Sequence, residues 1–320
     1  MSAAICSRAA RAAHVRGRAR RNQRNGALVD SAQFKASQAQ WRKWYNFLSG
    51  SEKWLNIRGH EISGRDMLDW RFLNHGYEPI AADDVAPVLR PEDEAGRSSL
   101  QLYHHLATKA PLEGKDVLEV GSGRGGGSWY VARYHRPRRM IGMDLAENAV
   151  EFARRAHKAP GLSYQVGDAL NLPFADRSFD AVLNVESSHC YDSIDTFASE
   201  LKRVLRPGGV VLLTDLRPAQ DMPELGRTFE AAGFRIASTQ DITANVVRAI
   251  DRRSQDATNI NAFLKSKALL SAWQMLVTEE TAETFEGTAE DFFVTPSSKT
   301  YRCLVEREIL YWTFVMSAPA

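Results

Sequence analysis

A strand, a glycine-rich loop and a helix in succession constrain the fold of this chain more than any other feature. The aliphatic run Asp116–Val120 predicts a buried strand, and the glycine-rich loop 121–127 follows it directly. A helix is predicted from Ser128 to His135. Glycines at a strand end let the backbone turn tightly and approach a ligand, and the amides of the loop and of the helix N-terminus favour an anionic group. The pattern therefore predicts a site for a carboxylate or a phosphate.

An acidic residue at the end of the next predicted strand completes a nucleoside site. Strand 140–143 leads into Asp144, which lies roughly 20 residues after Gly121. In a βαβ unit this spacing places the carboxylate beside the loop, where it can accept hydrogen bonds from both ribose hydroxyls. The loop glycines fit G-x-G-x-x-G and also G-x-G-x-G, so the loop alone leaves a dinucleotide and S-adenosylmethionine as alternatives.

Strands and helices continue to alternate beyond Asp144. Alternation of this kind predicts an α/β fold with a mostly parallel central sheet and helices on both faces, in which ligands bind at the carboxyl ends of the strands. The predicted strands are 162–166, 179–185, 210–214 and 234–240, and the predicted helices are 146–157, 193–205 and 223–232. The polar residues expected at the shared edge are Glu119, Asp144, Asp168, Glu186 to His189, and Asp215.

The rest of the chain divides into a tail, a cap and an insertion. Residues 1–29 hold seven arginines and no acidic residue, which predicts a disordered tail, with an organelle-targeting segment as the alternative. Residues 30–97 predict a helical cap or lid before the ligand-binding domain, 98–320. Within that domain, residues 241–298 predict a helical insertion that covers the substrate, and residues 299–312 predict one or two β elements.

Aromatic residues share one face of a predicted helix in the cap, at Trp41, Trp44 and Tyr45. This stripe predicts packing against the domain with partial lining of the substrate pocket. A lid over an apolar substrate, or a surface in peripheral contact with a membrane, is the alternative.

Composition limits the partners and the compartment. Hydrophobic residues make up 44% of the chain and charged residues 25%, which is ordinary for a soluble globular protein, and no apolar stretch is long enough to span a bilayer. Outside the tail, acidic residues outnumber basic ones, so nucleic acid is not an expected partner. Cys6, Cys190 and Cys303 are too widely spaced to suggest zinc or a disulfide framework, so we expect a reducing, cytoplasmic location and no metal site. The oligomeric state is left open.

Five ordered motifs resemble those of class I S-adenosylmethionine-dependent methyltransferases, over roughly residues 98–310. They are 117–126, 142–145, 167–174, 178–180 and 204–209. Within that superfamily, the chain is most similar to the phthiotriol and phenolphthiotriol dimycocerosate O-methyltransferases, which methylate a hydroxyl of a long-chain polyketide lipid. The stretches that carry this likeness are 182–191, 102–104, 215–218 and 245–248, whereas the tail and several residues within 254–280 depart from it.

The resemblance implies a Rossmann-like class I methyltransferase fold with S-adenosylmethionine as the cosubstrate. It implies that the glycine loop holds the methionine carboxylate, that Glu119 supports the loop and the amino group, and that Asp144 binds the ribose. Asp168 and Ala169 should border the adenine. The complete set of implied cosubstrate contacts is Glu119, Gly121, Ser122, Gly123, Gly125, Asp144, Leu145, Asp168, Ala169 and Asn184.

His189 and Asp215 are the predicted catalytic pair. Methyl transfer is an in-line displacement, so the enzyme mainly aligns the two reactants and excludes water, but a hydroxyl also needs a base for its proton. His189 follows the fourth strand, and Asp215 ends the fifth, where its carboxylate can orient the imidazole and stabilise the imidazolium. Some sugar and polyketide O-methyltransferases resemble this arrangement. The alternative is that His189 caps the next helix or only lines the pocket.

The predicted function is therefore O-methylation of a hydroxyl on a lipid or polyketide-like small molecule, which is expected to be largely apolar. Two alternatives remain. One is a C- or N-methyltransferase of a small molecule, and the other is a protein that binds S-adenosylmethionine or another nucleotide without catalysis.

Overall fold

The computed structural model describes residues 29–36, 72–81, 84–255, 294 and 296–319. Within these ranges, seven strands form one sheet in the order β3-β2-β1-β4-β5-β7-β6. The strands are β1 (Asp116–Val120), β2 (Arg139–Asp144), β3 (Leu162–Val166), β4 (Phe179–Val185), β5 (Leu205–Pro218), β6 (Arg235–Asp241) and β7 (Ile309–Ser317). Neighbours among β1 to β5 pair in parallel, and β7 is antiparallel to both β5 and β6. The predicted mostly parallel sheet is confirmed.

Helices cover both faces of the sheet. They are α1 (Arg97–Ala107), α2 (Gly126–Tyr134), α3 (Glu147–Ala156), α4 (Ile194–Val204), α5 (Met222–Ala231), α6 (Thr243–Gln255) and α7 (Lys299–Val305), with 3-10 turns at Pro91–Gly96 and Ser188–Cys190. Successive strand residues enter different hydrophobic clusters, as Leu183 and Val182 of β4 do. Because side chains alternate between the two faces of a strand, the clusters lie on opposite sides of the sheet. The Rossmann-like α/β prediction is confirmed.

The region 299–312 differs from its predicted β structure in its first half. Residues Lys299–Val305 form α7, and only Ile309 onward forms a strand. Ser298 caps the helix, because its hydroxyl accepts a hydrogen bond from the Tyr301 amide over 3.1 Å. Strand β5 is longer than predicted at both ends, since residues 205–209 and 215–218 also belong to it. Asp215, predicted to end this strand, instead lies within it, because the antiparallel pairing with β7 extends from Val210 to Pro218.

Most of the predicted cap and insertion lies outside the described residues, including the aromatic stripe of the cap. Within 30–97, residues 31–36 are helical, 72–81 have no regular structure, and Pro91–Gly96 form a 3-10 turn. Within 241–298, helix α6 is described as far as Gln255. Both domain assignments therefore stay predictions. Among the helices that the structure does describe, each is too short or too polar to span a lipid bilayer.

Candidate active site

The glycine loop is fixed to β2 by its first amides. The backbone N–H groups of Gly121 and Ser122 donate to the carbonyl oxygen of Met143 over 2.8 and 2.9 Å. A Cβ atom at Gly121 would overlap the Ser187 side chain, so the loop and the segment after β4 are in close contact. Helix α2 begins directly after the loop, so the partial positive charge of its N-terminus lies at the loop. Three loop glycines have left-handed φ angles, namely Gly121 (76°), Gly123 (56°) and Gly125 (83°).

The Asp144 carboxylate connects the end of β2 to the middle of the loop. Oδ2 accepts a hydrogen bond from the Gly123 amide over 2.8 Å, and Oδ1 accepts one from the Ala146 amide over 2.9 Å. These two hydrogen bonds fix the orientation of the carboxylate at the loop. Asp144 is thus beside the loop, where the motif spacing requires it. Its role toward the ribose stays a prediction.

Glu119 lies beneath the loop and is completely buried. Its Oε1 accepts a hydrogen bond from the Tyr103 hydroxyl over 2.7 Å, and Oε2 accepts one from the Ser128 hydroxyl at the start of α2. Burial raises the pKa of Glu119 to about 7, although both hydrogen bonds oppose the shift, and the charge of Asp144 adds to it. Glu119 therefore supports the junction between the loop and α2, and its contact with the cosubstrate's amino group stays a prediction.

Two buried polar atoms at the loop are without a hydrogen-bond partner among the described residues. They are the hydroxyl oxygen of Ser122 and the amide oxygen of Asn184. Asn184 is held in place by its own amide nitrogen, which donates to the Val120 carbonyl oxygen over 2.9 Å and to the Tyr191 hydroxyl over 3.0 Å. Buried polar atoms nearly always have partners, so these two point to a polar ligand. The arrangement fits the predicted S-adenosylmethionine.

The residues expected near the adenine lie after β2 and β3. Leu145 is apolar yet 59% exposed, as a residue that covers a ligand would be. Ala169 is buried, whereas Asp168 is exposed and its Oδ1 accepts a hydrogen bond from the Leu170 amide over 2.8 Å. Asp168 therefore stabilises its own turn. The adenine contacts of Asp168 and Ala169 and the cosubstrate contact of Leu145 stay predictions.

His189 and Asp215 lie side by side at the carboxyl edge of the sheet. Nδ1 of His189 is 2.6 Å from Oδ1 of Asp215, and the backbone N–H of His189 donates to Oδ2 over 2.9 Å. The His189 side chain is 8% exposed, and that of Asp215 is fully buried. Val185 at the end of β4 pairs in parallel with Thr214 of β5, so the residues that follow these two lie close together although they are far apart in sequence.

Three further groups hold the Asp215 carboxylate in its charged form. The Ser188 hydroxyl donates to Oδ2 over 2.5 Å, the Leu216 amide donates to Oδ1 over 2.8 Å, and the Arg217 guanidinium is 3.2 Å from Oδ2. Burial on its own would raise the pKa of Asp215, but the charges of His189 and Arg217 and these hydrogen bonds lower it well below its usual range.

The imidazole of His189 gains its proton readily in this setting. Burial opposes a charged imidazole, yet the neighbouring Cys190 and Asp215 outweigh it and raise the pKa of His189 to about 10. Nδ1 is the nitrogen committed to Asp215, which leaves Nε2 for exchange of a proton with a ligand.

A second buried polar group adjoins this pair, and we call it the Glu186 cluster: Glu186, Tyr311, His75 and Arg253. Glu186 directly follows β4 with a left-handed φ of 46°. Its Oε1 accepts hydrogen bonds from the Tyr311 hydroxyl over 2.5 Å and from the His75 amide over 2.7 Å. Nδ1 of His75 is 3.8 Å from Oε2 of Glu186, and Arg253 donates to the carbonyl oxygen of the preceding residue, Asn74, over 3.5 Å. The cluster therefore adjoins the segment that leads from β4 to His189.

Sequence reasoning noted Glu186 at the strand edge but missed the rest of the Glu186 cluster. Tyr311 comes from β7, Arg253 from α6, and His75 from the described part of the cap, so no local motif joins them. The left-handed backbone of Glu186 carries no sequence signal either, because glycine or asparagine usually marks such a position.

An aromatic ring of the described N-terminal segment lies near His189. The ring centroids of Phe34 and His189 are 6.4 Å apart. The segment is held at the end of β5 by Gln220, whose side-chain nitrogen donates to the carbonyl oxygen of Val29 over 2.7 Å. The surroundings of His189 are therefore partly apolar. Across the described ranges, no three histidine, cysteine, aspartate or glutamate side chains converge as a metal site requires.

Comparisons with known proteins agree with this geometry. A family model described as a methyltransferase domain matches residues 118–213, which hold the loop, Asp144 and His189. A phthiotriol/phenolphthiotriol dimycocerosates methyltransferase of Mycobacterium ulcerans is 40% identical over 70% of this chain and 79% of its own length. This chain belongs to the class I S-adenosylmethionine-dependent methyltransferases. A fatty-acid O-methyltransferase of Mycolicibacterium smegmatis is 46% identical to this methyltransferase over 63% of the chain and 73% of its own length. The predicted cosubstrate, S-adenosylmethionine, is confirmed.

Solved structures share the fold of this methyltransferase at low sequence identity. The cyclase SpnF has a TM-score of 0.61 and 18% identity, and the match covers 88% of this chain and 97% of that one. Geranyl diphosphate C-methyltransferase from Streptomyces coelicolor has a TM-score of 0.53 and 15% identity, over 85% and 97% of the two chains. Because the two proteins act differently, these matches support the fold and leave the reaction to be argued from the site.

Proposed function

We propose that this methyltransferase methylates an oxygen of a lipid-like acceptor, with His189 as the base for an acceptor hydroxyl and Asp215 as its partner. The observation that carries the proposal is the 2.6 Å contact between Nδ1 of His189 and Oδ1 of Asp215, at the same sheet edge as the glycine loop. The names of the two relatives, a fatty-acid O-methyltransferase and a phthiotriol methyltransferase, support oxygen and a lipid.

The chemistry divides between the cosubstrate and the protein. Bound S-adenosylmethionine supplies an electrophilic methyl group on a cationic sulfur. As the acceptor oxygen forms its new bond to carbon, the carbon–sulfur bond breaks, and the hydroxyl proton passes to Nε2 of His189. Asp215 fixes the imidazole through Nδ1 and stabilises the imidazolium that results. Phe34 adds an apolar surface beside the imidazole, which helps to exclude water and suits a hydrocarbon chain.

Identification of the methylated atom tests this proposal. The full-length protein is incubated with methyl-labelled S-adenosylmethionine and long-chain alcohols, acids and hydroxylated polyketide lipids, and the products are analysed by mass spectrometry. We expect label that hydriodic acid cleaves from an ether, or that alkali releases from an ester. Label that survives both treatments means C-methylation and overturns the proposal, as does label on nitrogen.

A donor-site variant provides the control. Asp144→Ala should weaken the affinity for S-adenosylhomocysteine in calorimetry, because Asp144 holds the loop through the Gly123 amide and faces the expected ribose site. Labelling that persists in this variant at low donor concentration would show that the label does not arise from the proposed site.

A further inference from the structure

Arg253 carries a charge that its surroundings do not neutralise. It lies on α6 and is partly buried, and its guanidinium donates to the carbonyl oxygen of Asn74 over 3.5 Å. Among the described residues it has no carboxylate in an ion pair, whereas its neighbour Arg252 is paired with Glu78. Burial lowers the pKa of Arg253, and the nearby Glu186 opposes that shift. A guanidinium remains charged under these conditions.

The other members of the Glu186 cluster are poor counter-charges. Burial raises the pKa of Glu186 to about 7, so its carboxyl is only partly ionised near neutral pH. Burial and the charges of Arg253 and His189 lower the pKa of His75 to about 3, so this imidazole is neutral. The Asp215 carboxylate is already paired with His189 and Arg217, so it does not neutralise Arg253.

We propose that Arg253 binds a carboxylate of the acceptor, next to the His189–Asp215 pair. This inference rests on the proposed function, because it specifies the acceptor class of the same site. A guanidinium presents parallel N–H donors that match the two oxygens of a carboxylate, and a partly buried cation needs such a partner. Arg253 donates to the carbonyl oxygen of Asn74, and the next residue, His75, has its Nδ1 3.8 Å from Oε2 of Glu186. Glu186 begins the short segment that leads to His189, so one acceptor head group can be shared between Arg253 and the pair.

The carboxylate has two chemically distinct sources. In a fatty acid it is the reacting group: one of its oxygens bonds to the methyl carbon, the carbon–sulfur bond breaks, and no proton is released. In a hydroxy acid it is a second group, and the hydroxyl reacts while its proton passes to His189. The first source yields a methyl ester and the second a methyl ether.

Direct binding tests the subsite without relying on turnover. Dodecanoate and dodecanol are titrated into the full-length protein saturated with S-adenosylhomocysteine. We expect Arg253→Gln to weaken dodecanoate binding by roughly 10- to 100-fold, which is the usual loss of affinity when a hydrogen bond to a charged group is removed. Dodecanol binding should change by no more than about twofold. Arg253→Lys should retain part of the affinity. Arg248→Gln, which removes an exposed charge from the same helix, should change neither ligand.

Equal binding of dodecanoate to the wild type and to Arg253→Gln overturns the subsite, and so does an equal loss for both ligands. A thermal shift with S-adenosylhomocysteine verifies that each variant is folded. Labelling of dodecanoate, 3-hydroxydodecanoate and dodecanol then separates the two sources, because alkali releases the label of an ester and not that of an ether. If dodecanoate binds through Arg253 and no oxygen is labelled, the subsite stands and the proposed function fails. If dodecanol is labelled on oxygen but dodecanoate binds equally well to the wild type and to Arg253→Gln, the subsite fails and the proposed function stands.

Discussion

Asp215 binds His189 twice, through the side chain and through the backbone. Oδ1 of the carboxylate is 2.6 Å from Nδ1 of the imidazole, and Oδ2 accepts the histidine's own amide N–H over 2.9 Å. The carboxylate therefore fixes the position of the residue as well as the orientation of its ring. Because Nδ1 is committed to Asp215, Nε2 is the nitrogen that remains for an acceptor, as the proposed general base requires.

Replacement of the histidine tests this role. His189→Ala should lower the turnover of a hydroxyl acceptor by roughly 10² to 10⁴, because the hydroxyl then loses its proton without a positioned base. Affinity for S-adenosylhomocysteine should survive, since the loop contacts of Gly121 and Asp144 do not involve this side chain. Steady-state kinetics and calorimetry on the same preparation provide both measurements. Unchanged turnover would remove the base role.

Binding of the cationic donor should displace a proton from His189. The pKa of His189 is about 10 without a ligand, and a nearby positive sulfur disfavours the imidazolium. S-Adenosylmethionine should therefore release more protons on binding than S-adenosylhomocysteine, which lacks the sulfonium. Calorimetry at pH 8 in buffers of different ionisation enthalpy measures this difference. His189→Ala should abolish it, and a difference that persists in this variant would assign the proton to another group.

Folding stability should also depend on pH through this pair. The pKa of His189 is raised from 6.5 to about 10, so the folded protein holds this proton more tightly than the unfolded chain does. The resulting stabilisation is complete below pH 6.5 and is lost as the pH rises through 10. Asp215 has the opposite dependence, because its pKa is lower in the folded protein than in the unfolded chain. Its stabilisation is present above pH 3.8, its pKa in the unfolded chain, and is lost as the pH falls through the folded pKa. Denaturant titrations from pH 6.5 to 10 should show a smaller loss of stability in His189→Ala than in the wild type.

The glycine loop, Asp144 and the His189–Asp215 contact could be predicted because each depends on a local rule. A strand, a glycine turn and a helix fix the loop, and parallel strands bring their carboxyl ends to one edge. Strands β3 and β4 have their predicted limits, since Leu162–Val166 and Phe179–Val185 are short apolar or alternating runs. The positions of these residues are therefore encoded in short stretches of sequence.

The Glu186 cluster and α7 could not be predicted in this way. Tyr311 and His75 contact Glu186, and Arg253 contacts Asn74 beside His75, through tertiary packing of β7, the described segment 72–81 and α6, which no spacing in the sequence records. In Lys299–Val305, apolar residues suggested a strand, and the helix is selected by the Ser298 cap together with burial of Leu304 in the core. A cap contributes only about 1 kcal/mol, so it becomes decisive only once packing is known.

Removal of the Ser122 hydroxyl tests the S-adenosylmethionine site with little expected effect on folding stability. It is buried without a partner among the described residues, so Ser122→Ala should leave the melting temperature of the ligand-free protein nearly unchanged. If the hydroxyl binds the cosubstrate, affinity for S-adenosylhomocysteine should fall by roughly tenfold. Ser98→Ala is the matched control, because it removes a similarly unpartnered hydroxyl away from the loop. Equal affinities in the two variants would exclude Ser122 from the donor site.

Gly121 should tolerate no side chain, for two separable reasons. Its φ of 76° disfavours any other residue, and a Cβ would overlap Oγ and Cβ of Ser187. Gly114 has a similar φ of 71°, and no atom lies within 4 Å of the place that its Cβ would occupy. Gly114→Ala therefore isolates the backbone cost, which we expect to be about 1 kcal/mol.

Gly121→Ala should cost clearly more than Gly114→Ala and should also abolish the thermal shift produced by S-adenosylhomocysteine. Because the overlapping atoms belong to Ser187, adding Ser187→Gly should recover part of the lost stability but not the backbone cost. Urea denaturation of the three variants measures each contribution. Equal destabilisation by Gly121→Ala and Gly114→Ala would mean that the segment after β4 moves aside at no cost in stability. The close contact between this segment and the loop would then not determine the shape of the S-adenosylmethionine site.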